Sequence, residues 1–142
     1  MNMKSRNFGR LVMQLRQLER HPRTFGSAGS LTPSEIHTID AIGTENGIIM
    51  SELAERLGVT KGAVTQLVKR LEAKDLIIRT SHPVDSRSVI LSLTNKGKIA
   101  YEAHEQLHLD FYQHLNDLLN QEEIEIFNRT VEKLIAYLQQ LK

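Results

Sequence analysis

Apolar residues recur at helical spacing between positions 51 and 73 and then give way to two short β-like runs. A first stripe, which stops at Gly58, consists of Leu53, Ala54 and Leu57. Glycine can adopt the left-handed conformation that ends a helix. A second stripe follows with spacing i, i+3, i+4 and i+7: Val64, Leu67, Val68 and Leu71. The pattern predicts a short apolar strand near Ile49, then two helices joined by a tight turn, with Thr60 capping the second.

The polar face of the second predicted helix carries small and hydrogen-bonding side chains. Its members are Thr60, Lys61, Gly62, Thr65, Gln66 and Lys69. A helix that enters the major groove of DNA needs such a face. Bulk would hold the helix away, whereas amide and hydroxyl groups reach base edges and lysines reach bases or phosphates. A solvated face on an ordinary helix hairpin is the alternative interpretation.

Two runs rich in Ile, Val, Leu, Ser and Thr follow, at 76–80 and 88–93, and Pro83 and Asp85 mark the loop between them. With the helix pair, this hairpin predicts a winged helix-turn-helix that binds duplex DNA. Arg87 near the loop tip is expected to enter the minor groove, where a guanidinium meets enhanced negative potential. Asp85 is expected to hold that side chain in place. A surface ion pair without a DNA contact is the alternative.

Charge is segregated along the chain, although the formal net charge is only +1. Residues 51–100 contain nine Lys and Arg against five Asp and Glu, whereas residues 101–142 contain three against eight. A basic middle suits a surface that faces phosphates. Without a run of ~20 apolar residues or a signal-peptide pattern, the sequence predicts a cytoplasmic protein that does not enter a membrane. The lack of cysteine excludes disulfides and thiol redox sensing.

The flanking segments predict helices with more apolar surface than a small monomer covers easily. A stripe near the N-terminus comprises Phe8, Leu11, Val12, Leu15 and Leu18, and a long helix is expected from about Thr94 to about Asn120. Asn120 and Glu123 form a capping-box pattern for a last helix. That helix carries Ile124, Phe127, Val131, Leu134, Ile135, Leu138 and Leu141. Pairing with a second subunit is the favoured use of this face, and intramolecular packing is the alternative.

These patterns predict two lobes. A DNA-binding lobe spans residues 31–94, and residues 1–30 with 95–142 form a helical dimerisation lobe. Between the first helix and the DNA-binding lobe, HPRTFGSAGS is predicted to be a loop because of its Pro, Gly and Ser content.

Three segments occur in a fixed order and at fixed separations: LTPSEIHTIDAI, SELAERLGVTKGAVTQLVKRLEAKDLI and DSRSVILSLTNKG. In this arrangement they resemble the MarR family of bacterial transcriptional regulators, and the resemblance covers nearly the whole chain. It implies a mainly α fold with a β-hairpin wing, and a homodimeric repressor that binds a pseudo-palindromic operator. The family's wing carries an Asp-x-Arg pair, matched by Asp85 and Arg87. Its recognition-helix contacts would fall on Thr60, Lys61, Gly62, Thr65 and Gln66.

His104 and His108 form HEQLH, which matches the His-Glu-x-x-His motif of zinc proteases. In the enzyme interpretation, the two histidines bind zinc, Glu105 is the general base, and Glu123 or Glu125 supplies a third ligand. Five residues with two free positions are a weak motif, and this helix follows a wing rather than a protease scaffold. The sequence therefore favours a protein that is not an enzyme.

A regulatory metal site is the favoured use of the two histidines. The MarR family includes zinc-sensing repressors of metal uptake, the AdcR and ZitR type, whose main site takes a Glu from the first helix and a His from the second. Two His residues four apart on the long helix complete it. The matching positions here are Glu19, His37, His104 and His108. Three imidazoles and a carboxylate close a tetrahedral shell around Zn²⁺ and also suit Mn²⁺, Co²⁺ or Ni²⁺. That subgroup's secondary site has a Cys and acidic residues where this chain has Phe25, Ile36 and Ala103.

Two hypotheses remain for the control of DNA binding. In the leading one, a bound metal fixes the two recognition helices near one DNA turn apart, roughly 34 Å, and raises operator affinity. In the alternative, a small organic ligand releases the protein from DNA. His37 would then line the ligand pocket, and His104 and His108 would be ordinary helix residues. The remaining histidines, His21, His82 and His114, are expected to be solvated.

Overall fold

The computed structural model describes residues 3–141, apart from the side chain of Glu19. The chain forms two compact units, Met1–His104 and Glu105–Lys142. Its helices are α1 (Met3–Glu19), α2 (Pro33–Ile42), α3 (Met50–Leu57), α4 (Lys61–Ala73), α5 (Asn95–Leu118) and α6 (Gln121–Gln140). Its strands are β1 (Arg23–Thr24), β2 (Ser30–Leu31), β3 (Ile48–Ile49), β4 (Ile77–Ser81) and β5 (Val89–Leu93). The predicted fold, mainly α with a small β-hairpin, is confirmed.

Helices α3 and α4 form the predicted pair. Gly58 ends α3 in the left-handed conformation with φ 65°, and its N–H donates to the carbonyls of the last turn. The Thr60 hydroxyl accepts from the Ala63 N–H at 3.1 Å and so caps α4. The predicted stripe of α4 is buried: Val64, Leu67, Val68 and Leu71. Local capping and one apolar stripe are therefore enough to define the helix-turn-helix.

A three-stranded antiparallel sheet in the order β3-β5-β4 lies beside this pair. Strand β5 is central, and its Leu91 lies opposite Ile48 of β3 and Arg79 of β4. We call β4, β5 and the connecting loop 82–88 the wing. The chain enters β3 through Gly47, which has φ 77° and where a Cβ would approach the Leu91 carbonyl oxygen to 2.7 Å. The start of the sheet therefore requires a glycine at this position.

A buried carboxylate joins the start of α2 to the end of α4. Thr32 and Glu35 form a reciprocal capping box, with the Thr32 N–H donating to Glu35 Oε1 at 2.9 Å. Lys74 Nζ lies 2.8 Å from the other oxygen of Glu35, whose side chain is only 2% exposed. Burial tends to raise the pKa of Glu35, but the hydrogen bonds from Lys74 and Thr32 outweigh it. The net effect lowers that pKa below 4.5.

The turn after α4 is tied closely to the start of α5. Asp75 has φ 60°, and its carbonyl accepts from the Thr94 hydroxyl at 2.7 Å. The Thr94 N–H donates to the Leu76 carbonyl at 3.0 Å. A Cβ at Gly97 would overlap that same carbonyl oxygen, so only glycine fits there. The Thr94 hydroxyl also accepts from the Gly97 N–H at 3.0 Å and so caps α5. We call this set of contacts the α4–α5 joint.

The segment after α1 is more ordered than predicted. Strands β1 and β2 pair Arg23 with Leu31, and a 3₁₀ turn, Gly26–Ala28, lies between them. Phe25 beside this turn is 2% exposed. A Pro, Gly and Ser content indicates turns, but it gives no signal for a two-residue ladder held in place by one buried aromatic ring. The prediction of a plain loop was wrong for this reason.

The second unit contains the end of α5 and helix α6. Asn120 and Glu123 form the predicted capping box at the start of α6, with mutual bonds of 2.9 and 3.1 Å. Exposed large apolar side chains continue along α6 and into the residue after it: Ile126, Phe127, Leu134, Ile135, Tyr137, Leu138 and Leu141. No described helix combines the length and apolar character needed to span a membrane. The division into a DNA-binding and a dimerisation lobe stays a prediction.

Candidate nucleic-acid interface and metal-ligand residues

The outward face of α4 carries the polar residues that the sequence singles out. Lys61, Gly62, Gln66 and Lys69 are exposed. Thr65 is half-buried, and its hydroxyl donates to the Lys61 carbonyl at 2.7 Å. Its oxygen keeps acceptor capacity, as does the capping oxygen of Thr60. The exposed donors of this face are therefore chiefly two ammonium groups and one amide, which suit phosphates and base edges.

Gly62 leaves α4 smooth at its first turn. A Cβ at this position would meet only the Thr60 hydroxyl, at 3.9 Å, which is ordinary contact distance. Neither packing nor a positive φ requires glycine here. The fold would therefore tolerate a side chain at position 62. Its absence is consistent with close approach of another molecule to this backbone.

The tip of the wing is organised around Asp85. Its Oδ1 accepts from the backbone N–H of Arg87 at 3.0 Å, and its Oδ2 accepts from the Ser88 hydroxyl at 3.2 Å. The Arg87 Nε lies farther away, 3.9 Å from Asp85 Oδ1, and the arginine side chain is 96% exposed. Asp85 therefore shapes the turn from which Arg87 projects and contacts the guanidinium only weakly.

His82 is a functional candidate that the sequence prediction missed. Its Nδ1 accepts two backbone hydrogen bonds, from Val84 at 3.1 Å and from Asp85 at 3.0 Å. The backbone N–H of His82 donates to the Ser88 carbonyl at 3.2 Å across the loop. The expectation that His82 is simply solvated was wrong. A histidine that accepts from the backbone has no sequence pattern, and the only signal was its place directly before Pro83, where the backbone is restricted to extended conformations.

An ion pair connects the wing to α4. Arg79 of β4 donates through Nε at 2.9 Å and through Nη2 at 2.8 Å to the same oxygen of Glu72. These bonds raise the pKa of Arg79 and keep its guanidinium directed at α4. The pair helps to set the orientation of the wing relative to the exposed face of α4.

Two of the predicted metal ligands lie together in the first unit. The rings of His37 on α2 and His104 on α5 have centroids 6.2 Å apart at an angle of 62°. His104 is 8% exposed, and its ring also makes an edge contact with Phe25 at 6.1 Å. Its Nδ1 lies 3.6 Å from Asp40 Oδ1. The segment that the sequence marked as a loop therefore supplies one wall around His104.

The other two predicted ligands are described less fully. His108 follows His104 by four residues on the same continuous helix, so both lie on one helix face. The side chain of Glu19 lies outside the described residues. Among the side chains that are described, no three His, Cys, Asp or Glu residues are gathered closely enough to hold a metal ion.

Comparison with known proteins agrees with this architecture. The sequence model of the MarR family matches residues 30–88. The chain is similar to the HTH-type transcriptional repressor MdtR of Bacillus subtilis, with 39% identity over 72 residues, which cover 51% of this chain and 46% of MdtR. It thus spans about half the length of that relative. The curated proteins that it resembles are HTH-type transcriptional regulators, which confirms the prediction that the chain is not an enzyme.

Two solved structures share the fold over almost the full chain. Streptococcus pneumoniae FabT, solved in complex with DNA, has a TM-score of 0.83 and 28% identity, covering 98% of this chain and 99% of FabT. Lactococcus lactis ZitR, described as a zinc-responsive MarR family member, has a TM-score of 0.67 and 25% identity, covering 95% and 96%. The helix pair and wing are those of a winged helix-turn-helix, and the chain is similar in sequence and in fold to transcriptional regulators of the MarR family.

Proposed function

We propose that this protein is a homodimeric repressor that binds a pseudo-palindromic operator and that Zn²⁺, or a similar divalent ion, raises its operator affinity. The observation that carries the metal part is the adjacency of His37 and His104, which come from different helices. The similarity to a DNA-bound regulator and to a zinc-responsive one supports both parts.

On the DNA side, α4 would enter the major groove with Gln66 and Thr65 near base edges and Lys61 and Lys69 near bases or phosphates. The wing would follow the adjacent minor groove, with Arg87 inserted where the negative potential is strongest. Two such units related by a dimer axis read two half-sites one helical turn apart. Phosphate contacts make the affinity fall steeply with salt concentration.

On the metal side, the spacing of the His37 and His104 rings supports the proposal. Imidazoles that share one Zn²⁺ through bonds of about 2.0 Å have ring centroids roughly 5 to 6 Å apart. The observed 6.2 Å is close to that range. The Asp40 carboxylate lies beside Nδ1 of His104. A carboxylate in this position orients a ligating histidine and leaves Nε2 for the metal.

His108 and Glu19 would complete the ligand set, with three imidazole nitrogens and one carboxylate. Such a set suits a closed tetrahedral site with a sensory role. The imidazoles must be neutral to bind, so metal affinity should fall as the pH drops below about 6.5. Binding would tie α2 to α5 and so bias the arrangement of the DNA-binding elements.

An operator-binding titration tests this proposal. Fluorescence anisotropy with labelled operator DNA at fixed salt is measured first with chelator and then with added zinc. The expected result is a tightening of roughly 5- to 100-fold, the usual range of an allosteric coupling. His108→Ala should lose this response, whereas the matched control His114→Ala, an exposed histidine on the same helix, should keep it.

The other outcomes identify the alternative. Operator binding that is indifferent to zinc in the unmodified protein would contradict metal sensing and favour regulation by an organic ligand. An unchanged zinc response in the His108→Ala variant would remove this ligand set. Absence of operator binding under every condition would overturn the DNA-binding proposal itself.

A further inference from the structure

We propose that His82 is a positioning residue of the wing: its neutral imidazole builds the turn that presents Arg87, so protonation of His82 weakens DNA binding by the wing. This inference rests on the proposed DNA-binding function. It adds a proton-sensitive element separate from the metal ligands, because His82 lies in the wing loop and the ligand candidates lie on α1, α2 and α5.

The direction of the hydrogen bonds at the His82 ring defines its protonation state. Nδ1 of His82 accepts from two backbone N–H groups, those of Val84 and Asp85. A ring nitrogen can accept only when it carries no proton, so these bonds require the tautomer with the proton on Nε2. The structure therefore assigns one protonation state to a folded wing tip.

A second set of bonds passes this constraint to Arg87. The backbone N–H of Asp85 is fixed by His82, and the carboxylate of Asp85 fixes the N–H of Arg87 and the hydroxyl of Ser88. The backbone N–H of Ser88 donates to the Asp85 carbonyl at 3.0 Å, and the Ser88 carbonyl accepts from the backbone N–H of His82. The loop is thus closed by two side chains, and the guanidinium of Arg87, on a side chain that is 96% exposed, projects from it.

Protonation of His82 reverses the role of Nδ1. An imidazolium has an N–H at both ring positions and no acceptor. Two backbone donors would then face a third donor and would have to turn to water. A histidine changes charge within the physiological range more readily than any other side chain, and protonation of this one would release the first half of the turn.

The charges around His82 do not offset this loss. Within the wing, Asp85 is engaged with Arg87 and Ser88, and no carboxylate of the described residues lies within ion-pair distance of the His82 ring. On the elements packed against the wing, Arg79 and Glu72 are paired with each other. The protonated ring would gain attraction to DNA phosphates, which acts in the opposite direction and increases the salt dependence.

Substitution can separate the hydrogen-bond acceptor at position 82 from the ability of this side chain to take up a proton. Asparagine at position 82 offers a side-chain carbonyl oxygen that accepts from the residue two positions on, as in an Asx-turn, and it does not titrate. His82→Asn therefore keeps the acceptor and removes the proton switch. His82→Ala removes both.

Operator affinity is measured with chelator present, at about pH 7.5 and about pH 5.5, for the unmodified protein and the variants. We expect the unmodified protein to lose roughly tenfold in affinity at the lower pH, about 1.4 kcal/mol. His82→Asn should lose less than about threefold over the same interval and should bind within about threefold of the unmodified protein at the higher pH. His82→Ala should be weak at both. The matched control, His114→Asn, should keep the full pH dependence.

A readout without DNA completes the test. In the free protein, the amide NMR signals of Val84 and Asp85 should titrate with pH and exchange faster when acidified, and should do neither in His82→Asn. Equal pH profiles for the unmodified protein and His82→Asn, or affinity that rises on acidification, would overturn the inference. Equal operator affinity of Arg87→Ala and the unmodified protein would instead overturn the wing contact of the proposed function.

Discussion

At the scale of one residue, folding and DNA binding favour different side chains at position 62, where the chain has Gly62. A helix gains stability when glycine is replaced by alanine, by up to about 1 kcal/mol in its interior and less in the first turn. Since a Cβ at position 62 meets no close atom, Gly62→Ala should raise the free energy of unfolding by roughly 0.5 kcal/mol. The same methyl group should hold α4 away from DNA and weaken operator binding roughly tenfold.

Urea unfolding checks the expected gain in stability, and operator anisotropy on the same preparation checks the expected loss of affinity. Gly97→Ala is the contrasting variant, because its Cβ would overlap the Leu76 carbonyl, and it should lower stability. Operator affinity unaffected by Gly62→Ala would show that the start of α4 does not approach DNA closely.

Single residues also show the limit of sequence prediction. Gly58 and Thr60 could be assigned because their roles are local: one ends a helix and the other caps the next. The role of His82 could not, because it depends on the loop folding back so that two N–H groups meet Nδ1. The ring contact between His37 and His104 likewise joins positions far apart in the chain.

The Glu35–Lys74 pair links two helices of the first unit, joining α2 to the end of α4. Glu35→Gln keeps the capping oxygen but removes the charge. Because Lys74 is 42% exposed, solvent screens the pair, so we expect a loss of only about 1 kcal/mol at neutral pH. The folded pKa of Glu35 lies below 4.5, so the contribution of the pair is present above that value. It disappears as the pH falls through the lower, folded pKa.

Chemical denaturation at neutral pH and at increasingly acidic pH tests this prediction. The difference in unfolding free energy between Glu35→Gln and the unmodified protein should shrink on acidification. The matched control is Glu72→Gln, which breaks the more exposed pair with Arg79 and should change stability by less than about 0.5 kcal/mol. A pH-independent difference for Glu35→Gln would mean that shape, not charge, joins the two helices.

At the element scale, prediction succeeded where the periodicity was long or the caps were explicit. The wing strands were expected at 76–80 and 88–93 and lie at Ile77–Ser81 and Val89–Leu93. The pairing of β1 with β2 was missed because two residues cannot establish a period. The partnership of Glu35 with Lys74 was missed because 39 positions separate them, and no local rule connects residues at that distance.

The exposed apolar face of α6 matters at the scale of the whole molecule. Ile135 is 51% exposed and Leu138 is 57% exposed, although burial of such side chains is worth about 1.5 to 3 kcal/mol each. Ile135→Asp should therefore shift the protein from dimer to monomer in sedimentation experiments. It should also weaken operator binding more than tenfold, because a monomer reads only one half-site.

The matched control for this prediction is Ala136→Asp. It adds the same charge at the neighbouring position, which helical geometry places about 100° away from Ile135 and off the apolar stripe. This variant should remain dimeric and bind the operator normally. Dimerisation that survives Ile135→Asp would assign the subunit contact to other surfaces, of which the apolar stripe of α1 is the first candidate.

The α4–α5 joint limits how such a molecule can move. Three hydrogen-bonded residues and an obligatory glycine fix the turn after α4 against the start of α5. A joint of this kind does not bend, so α4 and the first turn of α5 must travel as one rigid body. Any effector that tilts the beginning of α5 would therefore displace α4 by a comparable angle. Flexibility that uncouples the two has to lie farther along α5, beyond Gly97.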